Sequence, residues 1–166
     1  METAAGSPQE IRQTFCALSD IKVIEFSHVV MGPVCGQILG HLGADVIKVE
    51  PPPEGETARR LKGQGSGYFT FYNTNKRSLM IDLKFSEGKA VCYRLIDQAD
   101  VVIENYAPGT LEKLGFGYEA IQMRNPRIIF CSLKGFLEGP YQNRLGLDER
   151  SEERRVGKEC RYRWAP

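Results

Sequence analysis

Short apolar runs alternate along the chain with segments in which apolar residues recur every three or four positions. The runs are rich in valine and isoleucine and predict five strands, at residues 21–26, 45–50, 79–83, 100–104 and 127–133. The helical spacing predicts the helices between them: one from Pro33 to a C-cap at Gly43, one with Ser86 as N-cap, and one over residues 118–124. The pattern therefore predicts strands and helices in regular alternation.

This alternation predicts an α/β protein of the Rossmann-like, doubly wound class. Helices of about ten residues between strands are typical of βαβ crossovers, which give a mostly parallel sheet with helices on both faces. Ligands of such sheets bind at the carboxyl ends of the strands. A nucleotide-type site is therefore predicted where the loops after Phe26, Glu50 and Glu104 converge. No GxGxxG follows the first strand, which argues against an ordinary NAD site.

A long connection interrupts the alternation after the second strand. Residues 51–67 contain three prolines and four glycines and are predicted to form a loop. Loops of this length in a compact domain are usually functional or mobile.

Composition and charge narrow the class of protein. The 166 residues are 42% hydrophobic and 26% charged, as in one soluble globular domain, and the net charge of +1 favours neither a nucleic-acid nor a membrane partner. The start of the chain lacks a secretory signal pattern, which predicts a cytoplasmic protein. No CxxC pair and no metal site are predicted. The five cysteines are expected to be reduced and mostly buried: Cys16, Cys35, Cys92, Cys131 and Cys160.

Patterning also divides the chain into three segments. Residues 1–19 are polar and irregular and are predicted to be a leader, and residues 20–149 form the Rossmann-like domain. Residues 150–166 carry six basic and three acidic groups and little apolar periodicity, so they are predicted to be a non-native or disordered tail. The alternatives for this tail are a basic arm for nucleic acid and a solvated helix.

Five motifs carry a resemblance to a known family. They are IEFSHVVMGP at 24–33, LGADVIKVE at 42–50, NTNKRS at 73–78, DVVIENYAPG at 100–109 and NPRII at 125–129. In order and spacing they resemble the N-terminal portion of the family III (CaiB/BaiF) CoA-transferases, of the formyl-CoA transferase-like kind. The resemblance extends over about residues 18–149.

The resemblance implies a reaction in which CoA passes from an acyl-CoA to a small free carboxylic acid. In this family an aspartate carboxylate attacks the thioester and forms covalent intermediates, which divides one difficult exchange into easier steps. Coenzyme A is then a substrate, and no permanently bound cofactor is expected. The resemblance also implies that the full-length protein is a homodimer.

The resemblance assigns no catalytic residue within this chain, because the expected aspartate lies beyond Pro166. Asp148 belongs to a motif that precedes the nucleophile in the family and is not taken as the nucleophile itself. An α-methylacyl-CoA racemase-like enzyme is disfavoured, because Leu147 stands where racemases have a histidine base. A non-catalytic CoA- or nucleotide-binding module is the alternative function.

By resemblance, six residues are predicted to bind CoA: His28, Val29, Arg77, Asn105, Thr110 and Lys113. The bound phosphates need cations and free backbone donors, which the start of the helix near Pro33 would also supply. Lys76, Arg59 and Arg60 are further candidate phosphate ligands. The alternatives are a turn histidine bonded to backbone for His28 and solvated surface cations for the lysines and Arg77. Pro51 stands where some relatives have an arginine, so a contact from that position is not expected.

Overall fold

The centre of the structure is one five-stranded parallel sheet. The computed structural model describes residues 16–136, 139–144 and 146. The strands follow one another in space as β3-β2-β1-β4-β5, and each neighbouring pair is parallel. They are β1 (Lys22–Phe26), β2 (Asp45–Glu50), β3 (Lys76–Met80), β4 (Val101–Glu104) and β5 (Ile129–Ser132). This strand order confirms the predicted doubly wound α/β class.

Five α-helices connect these strands, together with two short 3₁₀ helices, Thr57–Arg60 and Gly63–Gly67, in the long loop after β2. The helices are α1 (Met31–His41), α2 (Tyr68–Tyr72), α3 (Ser86–Ile96), α4 (Thr110–Leu114) and α5 (Tyr118–Arg124). The predicted helix end at Gly43 is confirmed, since α1 stops at His41 and Gly43 has a φ of 103°. Ser86 was predicted as an N-cap but is the first residue of α3, and its hydroxyl donates to Glu87.

Side-chain alternation along the strands produces two cores, one on each face of the sheet. Ile24 and Phe26 of β1 pack with residues of α3, α4 and α5, including Ile96, Leu111 and Ile121. Val23 of the same strand packs on the other face with Val46, Ile103 and residues of α1. Because successive side chains of a strand point to opposite faces, the helices cover both faces as predicted.

The third strand was predicted three residues too late. The sequence indicated a strand over 79–83, whereas β3 runs from Lys76 to Met80 and pairs in register with β2 from Val46 to Glu50. Its polar residues Lys76 and Ser78 contact the buried charged residues of the first two strands. A strand whose inward side chains are polar lacks the apolar signal from which strands are predicted.

The predicted leader and tail are described only in part or not at all. Of residues 1–19, the structure describes 16–19, where the Leu18 N–H donates to the Leu42 carbonyl at 3.0 Å and the Leu18 side chain packs against the core under α1. Leu147, Asp148 and the tail at 150–166, with Cys160, lie outside the described residues. In the part of the chain that is described, no helix combines the length and apolarity needed to cross a membrane.

Candidate functional site

A cleft of about 1240 Å³ lies at the carboxyl ends of the strands. Its walls come from the ends of the strands and the segments that follow them, at residues 27–31, 49–51, 81–84, 105–108 and 133–135. The long loop after β2 and helix α2 add further wall residues, among them Thr57, Leu61, Tyr68 and Tyr72. The predicted convergence of the loops after Phe26, Glu50 and Glu104 is therefore confirmed.

The turn between β1 and α1 has an unusual backbone conformation. Val29 has a φ of 63°, a region that β-branched residues rarely occupy. The Asn105 side chain braces this turn: its Oδ1 accepts from the His28 N–H at 2.9 Å, and its Nδ2 donates to the His28 carbonyl at 2.9 Å. The His28 ring also stacks on Tyr106, with ring centroids 5.4 Å apart. The loop after β4 thus fixes the turn after β1.

A cluster of buried charged side chains adjoins this turn. Glu25 is fully buried and accepts hydrogen bonds from Ser27 Oγ at 2.5 Å, Lys48 Nζ at 3.0 Å and Lys76 Nζ at 3.1 Å. Lys48 Nζ also donates to the Ser27 carbonyl at 3.0 Å. Buried charges are tolerated when they are paired and hydrogen-bonded. The cluster therefore ties β1, β2 and β3 together and fixes the start of the turn.

Glu50, at the end of β2, organises the loop that follows. It accepts hydrogen bonds from Nε and Nη2 of Arg59, both at 2.7 Å, and from the Glu56 N–H at 3.0 Å. Burial raises the pKa of Glu50, but the hydrogen bonds from Arg59, Glu56 and Ser78 outweigh this and lower the pKa from 4.5 to about 2. The Arg59 guanidinium also lies 3.7 Å from the centroid of the Phe69 ring. Arg59 is thereby engaged in holding the loop.

Glu56 lies in the cleft wall, and its pKa is shifted in the opposite direction. Its side chain is buried and pairs with Lys48 at 2.8 Å. Burial raises the pKa of Glu56 above its ordinary value of 4.5; the Lys48 ammonium lowers it, and the nearby Glu50 and Glu25 raise it further. Glu56 and Glu25 share Lys48 as a cation, so neither carboxylate has the ammonium group to itself.

Basic and apolar side chains together line the cleft. The apolar residues include Val49, Ile81, Leu83, Leu114 and Leu133, and the basic residues are Arg60, Lys62, Lys84, Lys134 and Arg144. Lys134 pairs with Glu104 at 2.6 Å, and Arg60 pairs with Glu54 at 2.8 Å. Among the described residues, Lys62 and Lys84 take part in no ion pair. The cleft thus suits an elongated ligand that carries both apolar and anionic groups.

Comparison with known proteins agrees with the motifs in the sequence. A family model described as CoA-transferase family III matches residues 18–156. The chain belongs to CoA-transferase family III. The match includes every strand and helix of the structure, so the cleft is a feature of a family III domain.

Curated relatives of this family III chain include formyl-CoA:oxalate CoA-transferases. Those of Afipia carboxidovorans and Rhodopseudomonas palustris are 45% and 47% identical to it over 131 residues. In both cases the alignment covers 76% of this chain and 31% of the relative. The chain therefore spans about a third of the length of these relatives.

Solved structures of similar sequence have the same fold. A CAIB/BAIF family protein from Brucella suis is 40% identical, with a TM-score of 0.78 over 87% of this chain and 40% of that protein. The protein Rv3272 of Mycobacterium tuberculosis is 42% identical, with a TM-score of 0.74 over 80% of this chain and 37% of that protein. Both agree with the α/β fold described above.

Four of the six residues predicted to bind CoA lie together in the cleft wall of this family III domain: His28, Val29, Asn105 and Thr110. Lys113 is exposed on α4 and lies outside the lining residues. Arg77 is at the other end of the sheet, where it pairs with Asp45, the first residue of β2. The structure does not bring Lys113 or Arg77 to the cleft, and the ligand contacts of all six residues stay predictions.

The three further candidate phosphate ligands have different surroundings. Lys76 is buried in the ion pair with Glu25, and Arg59 is bound to Glu50. Only Arg60 of these three lies in the cleft wall. The first two cations therefore act within the protein, where they stabilise the strand ends that form the cleft.

Sequence reasoning missed several residues of the cleft, above all Lys84 and Tyr106. Lys84 is exposed in the wall just after β3. The third strand was predicted over 79–83, whereas residues 81–84 form a loop at the carboxyl end of the sheet. Lys84 was therefore not recognised as a residue of this loop. The signal that could have found Lys84 is its place directly after a parallel strand, where ligand-binding side chains concentrate.

Proposed function

We propose that this family III domain binds coenzyme A or an acyl-CoA in the cleft at the carboxyl ends of its strands. The observation that carries the proposal is the composition of the cleft, in which an apolar wall meets five basic side chains. Coenzyme A has the complementary chemistry, since it joins a phosphorylated nucleotide to a long, largely uncharged arm. Family membership supports a CoA thioester as the ligand.

Lys84 is the best candidate for contact with a phosphate of the ligand. It is exposed, it lies in the cleft wall, and it takes part in no ion pair among the described residues. An ammonium group of this kind can form a charge-assisted hydrogen bond to phosphate without first breaking an internal pair. Lys62, Arg60 and Arg144 supply further positive charge along the same wall.

The proposed reaction is the transfer of CoA from an acyl-CoA to a small carboxylic acid, in a cytoplasmic protein that works as a homodimer without a permanently bound cofactor. The relatives named formyl-CoA:oxalate CoA-transferase make formyl-CoA and oxalate the first pair to test. The resemblance of the sequence assigns the domain the task of holding CoA and assigns none of its residues the role of attacking carboxylate.

Calorimetric titration of the purified chain with CoA tests this proposal. A lost charge-assisted contact costs roughly 1–3 kcal/mol, so Lys84→Ala should weaken CoA binding by about 5- to 150-fold. Lys22→Ala is the matched control, because Lys22 is an exposed lysine at the amino end of β1, where the cleft does not reach. Absence of binding at millimolar CoA would contradict the proposal, and equal losses in the two variants would contradict the role of Lys84.

The same titration decides between the sequence-based and structure-based choice of phosphate ligands. Arg77→Ala and Lys113→Ala should weaken binding if the six sequence-predicted residues all contact CoA. If the cleft alone binds the ligand, both variants should match the wild type, because neither residue lines the cleft.

A further inference from the structure

We propose that Asn105 is a positioning residue, which sets the shape of the turn between β1 and α1 and, through that turn, the affinity of the cleft for CoA. Both polar atoms of its side-chain amide are engaged by the backbone of one residue, His28. The His28 N–H donates to Oδ1 and the His28 carbonyl accepts from Nδ2, each at 2.9 Å. The Asn105 N–H donates to the Phe26 carbonyl at 3.3 Å, which fixes the start of this loop beside the end of β1.

The turn requires such a brace because its backbone conformation is unfavourable for its sequence. Val29 has a φ of 63°, and a β-branched residue holds this conformation only when the surrounding structure enforces it. Three contacts enforce it, two from the loop after β4 and one from β2. They are the Asn105 amide on the His28 backbone, the Tyr106 ring on the His28 ring, and the hydrogen bond from Lys48 Nζ to the Ser27 carbonyl.

The first turn of α1 is packed against the same asparagine. A methyl group added at Gly32 would lie 2.9 Å from Asn105 Cγ and 2.5 Å from Ser27 Cβ. Glycine is therefore required at this position for the helix to approach Asn105 so closely. Aspartate has the shape of asparagine but lacks the N–H donor when ionised, and alanine lacks both polar atoms. Asparagine is thus matched to the two backbone groups of His28.

The turn forms one wall of the proposed CoA cleft, through residues 27–31. A change in its conformation would move several wall residues together, whereas a lost ligand contact would leave the empty protein unchanged. The effect of Asn105 on CoA therefore rests on the proposed function, but its effect on the turn does not. This difference allows the two to be tested separately.

The experiment compares the wild-type chain with Asn105→Ala in the absence and presence of CoA. Backbone amide resonances and hydrogen exchange are recorded without ligand, and CoA affinity is then measured by calorimetry. Without ligand, we expect shifted resonances at residues 27–31 and exchange of the His28 amide that is about 10-fold faster or more, because the hydrogen bond to Oδ1 is lost. We expect CoA affinity to fall about 10-fold as a consequence.

Asn125→Ala is the control for general destabilisation. The Asn125 amide also donates to two backbone carbonyls, those of Ile96 and Ala99, but it is buried away from the cleft. This variant should be less stable than the wild type yet leave the resonances of residues 27–31 unchanged. Asn105→Asp keeps the size of the side chain and an acceptor for the His28 N–H but removes the Nδ2 donor to the His28 carbonyl. If the alanine variant does not fold, the aspartate variant should still shift the resonances of residues 27–31, without the faster exchange of the His28 amide.

Two outcomes would overturn the inference. Unchanged turn resonances together with weaker CoA binding would make Asn105 a direct ligand contact. An altered turn with unchanged CoA affinity would show that the shape of the turn does not matter for binding. If the wild-type chain binds no CoA, the proposed function fails, and the ligand-free resonances still decide whether Asn105 positions the turn.

Discussion

Glu50 and Glu56 are close in the chain, but their pKa values are shifted in opposite directions. Both side chains are buried near the cleft, but Glu50 receives hydrogen bonds from Arg59, Ser78 and a backbone N–H, whereas Glu56 has one ion pair to Lys48. The pKa of Glu50 is therefore lowered to about 2, and that of Glu56 is raised above 4.5. The number of donors around each carboxylate, rather than its burial, sets the direction of the shift.

The lowered pKa of Glu50 predicts a specific loss of stability in acid. A carboxyl group with a lower pKa in the folded state stabilises the fold above its unfolded pKa, and this contribution is lost as the pH falls through the folded pKa. The window is therefore pH 4.5 down to about 2, and the loss amounts to roughly 3 kcal/mol. Urea unfolding at several pH values should show a shallower decline for Glu50→Gln than for the wild type across this window.

Glu54→Gln is the control for this acid effect. Glu54 is in the same loop, but its side chain is 64% exposed in its pair with Arg60, and exposed pairs contribute little. Its stability curve should run parallel to that of the wild type. A Glu50→Gln curve that is also parallel would mean that Glu50 is not the titrating group.

The buried charges could not be predicted from the sequence. Lysine and glutamate are almost never fully buried unless paired, and the partners here are distant in sequence, with Glu25 bound to Lys48 and Lys76. Sequence reasoning therefore treated Lys76 as a possible phosphate ligand. By contrast, His28 and Asn105, which the family resemblance predicted to bind CoA, both lie in the cleft wall, and their contact with the ligand stays a prediction.

At the scale of elements, helix α1 is adapted to the charged face of the sheet that it covers. Gly36 lies directly above Glu25, and a methyl group there would overlap Glu25 Oε2 and come within 2.9 Å of its Cδ. Glu25 has no freedom to move aside, since Ser27, Lys48 and Lys76 all bind its carboxylate. The close approach of this helix to the sheet therefore depends on a glycine.

Gly36→Ala should destabilise the fold, although alanine normally stabilises a helix interior by roughly 0.5–1 kcal/mol relative to glycine. The overlap with Glu25 must displace the helix or break the charged cluster, so the expected cost is about 2–4 kcal/mol in the free energy of urea unfolding. Gly67→Ala serves as the control, because a methyl group at Gly67 meets no atom within 4 Å. Stabilisation by Gly36→Ala would show that the helix can shift without cost.

The bounds of a strand were predicted well where its side chains are mostly apolar, and poorly where its side chains are polar. The second strand was predicted at its observed bounds, Asp45–Glu50, from its short run of valine and isoleucine residues. The start of β3 was missed because Lys76 and Ser78 are polar, with Lys76 bonded to Glu25 and Ser78 to Glu50, and only the register with β2 reveals that start. The element that depends on long-range pairing is the one that local patterns describe least well.

At the scale of the whole molecule, the chain spans about a third of the length of its curated relatives, and its described residues form a five-stranded sheet. Ile129, on the edge strand β5, is 64% exposed. Phe71 in α2 and Met123 in α5 are 67% and 80% exposed. Exposed edges and apolar side chains favour association between molecules. An activity assay on this chain therefore needs proof that the same sample binds CoA.

With that control in place, the 166-residue chain should bind CoA but transfer none. In the proposed function the domain holds CoA and supplies no attacking carboxylate, and loss of a covalent nucleophile lowers the rate on the order of 10⁴-fold or more. Formyl-CoA and oxalate are incubated with the chain, and the new CoA thioester is measured by chromatography. A full-length formyl-CoA:oxalate CoA-transferase from Rhodopseudomonas palustris provides the positive control. Turnover that Asp148→Asn abolishes would contradict this prediction and identify Asp148 as the attacking carboxylate.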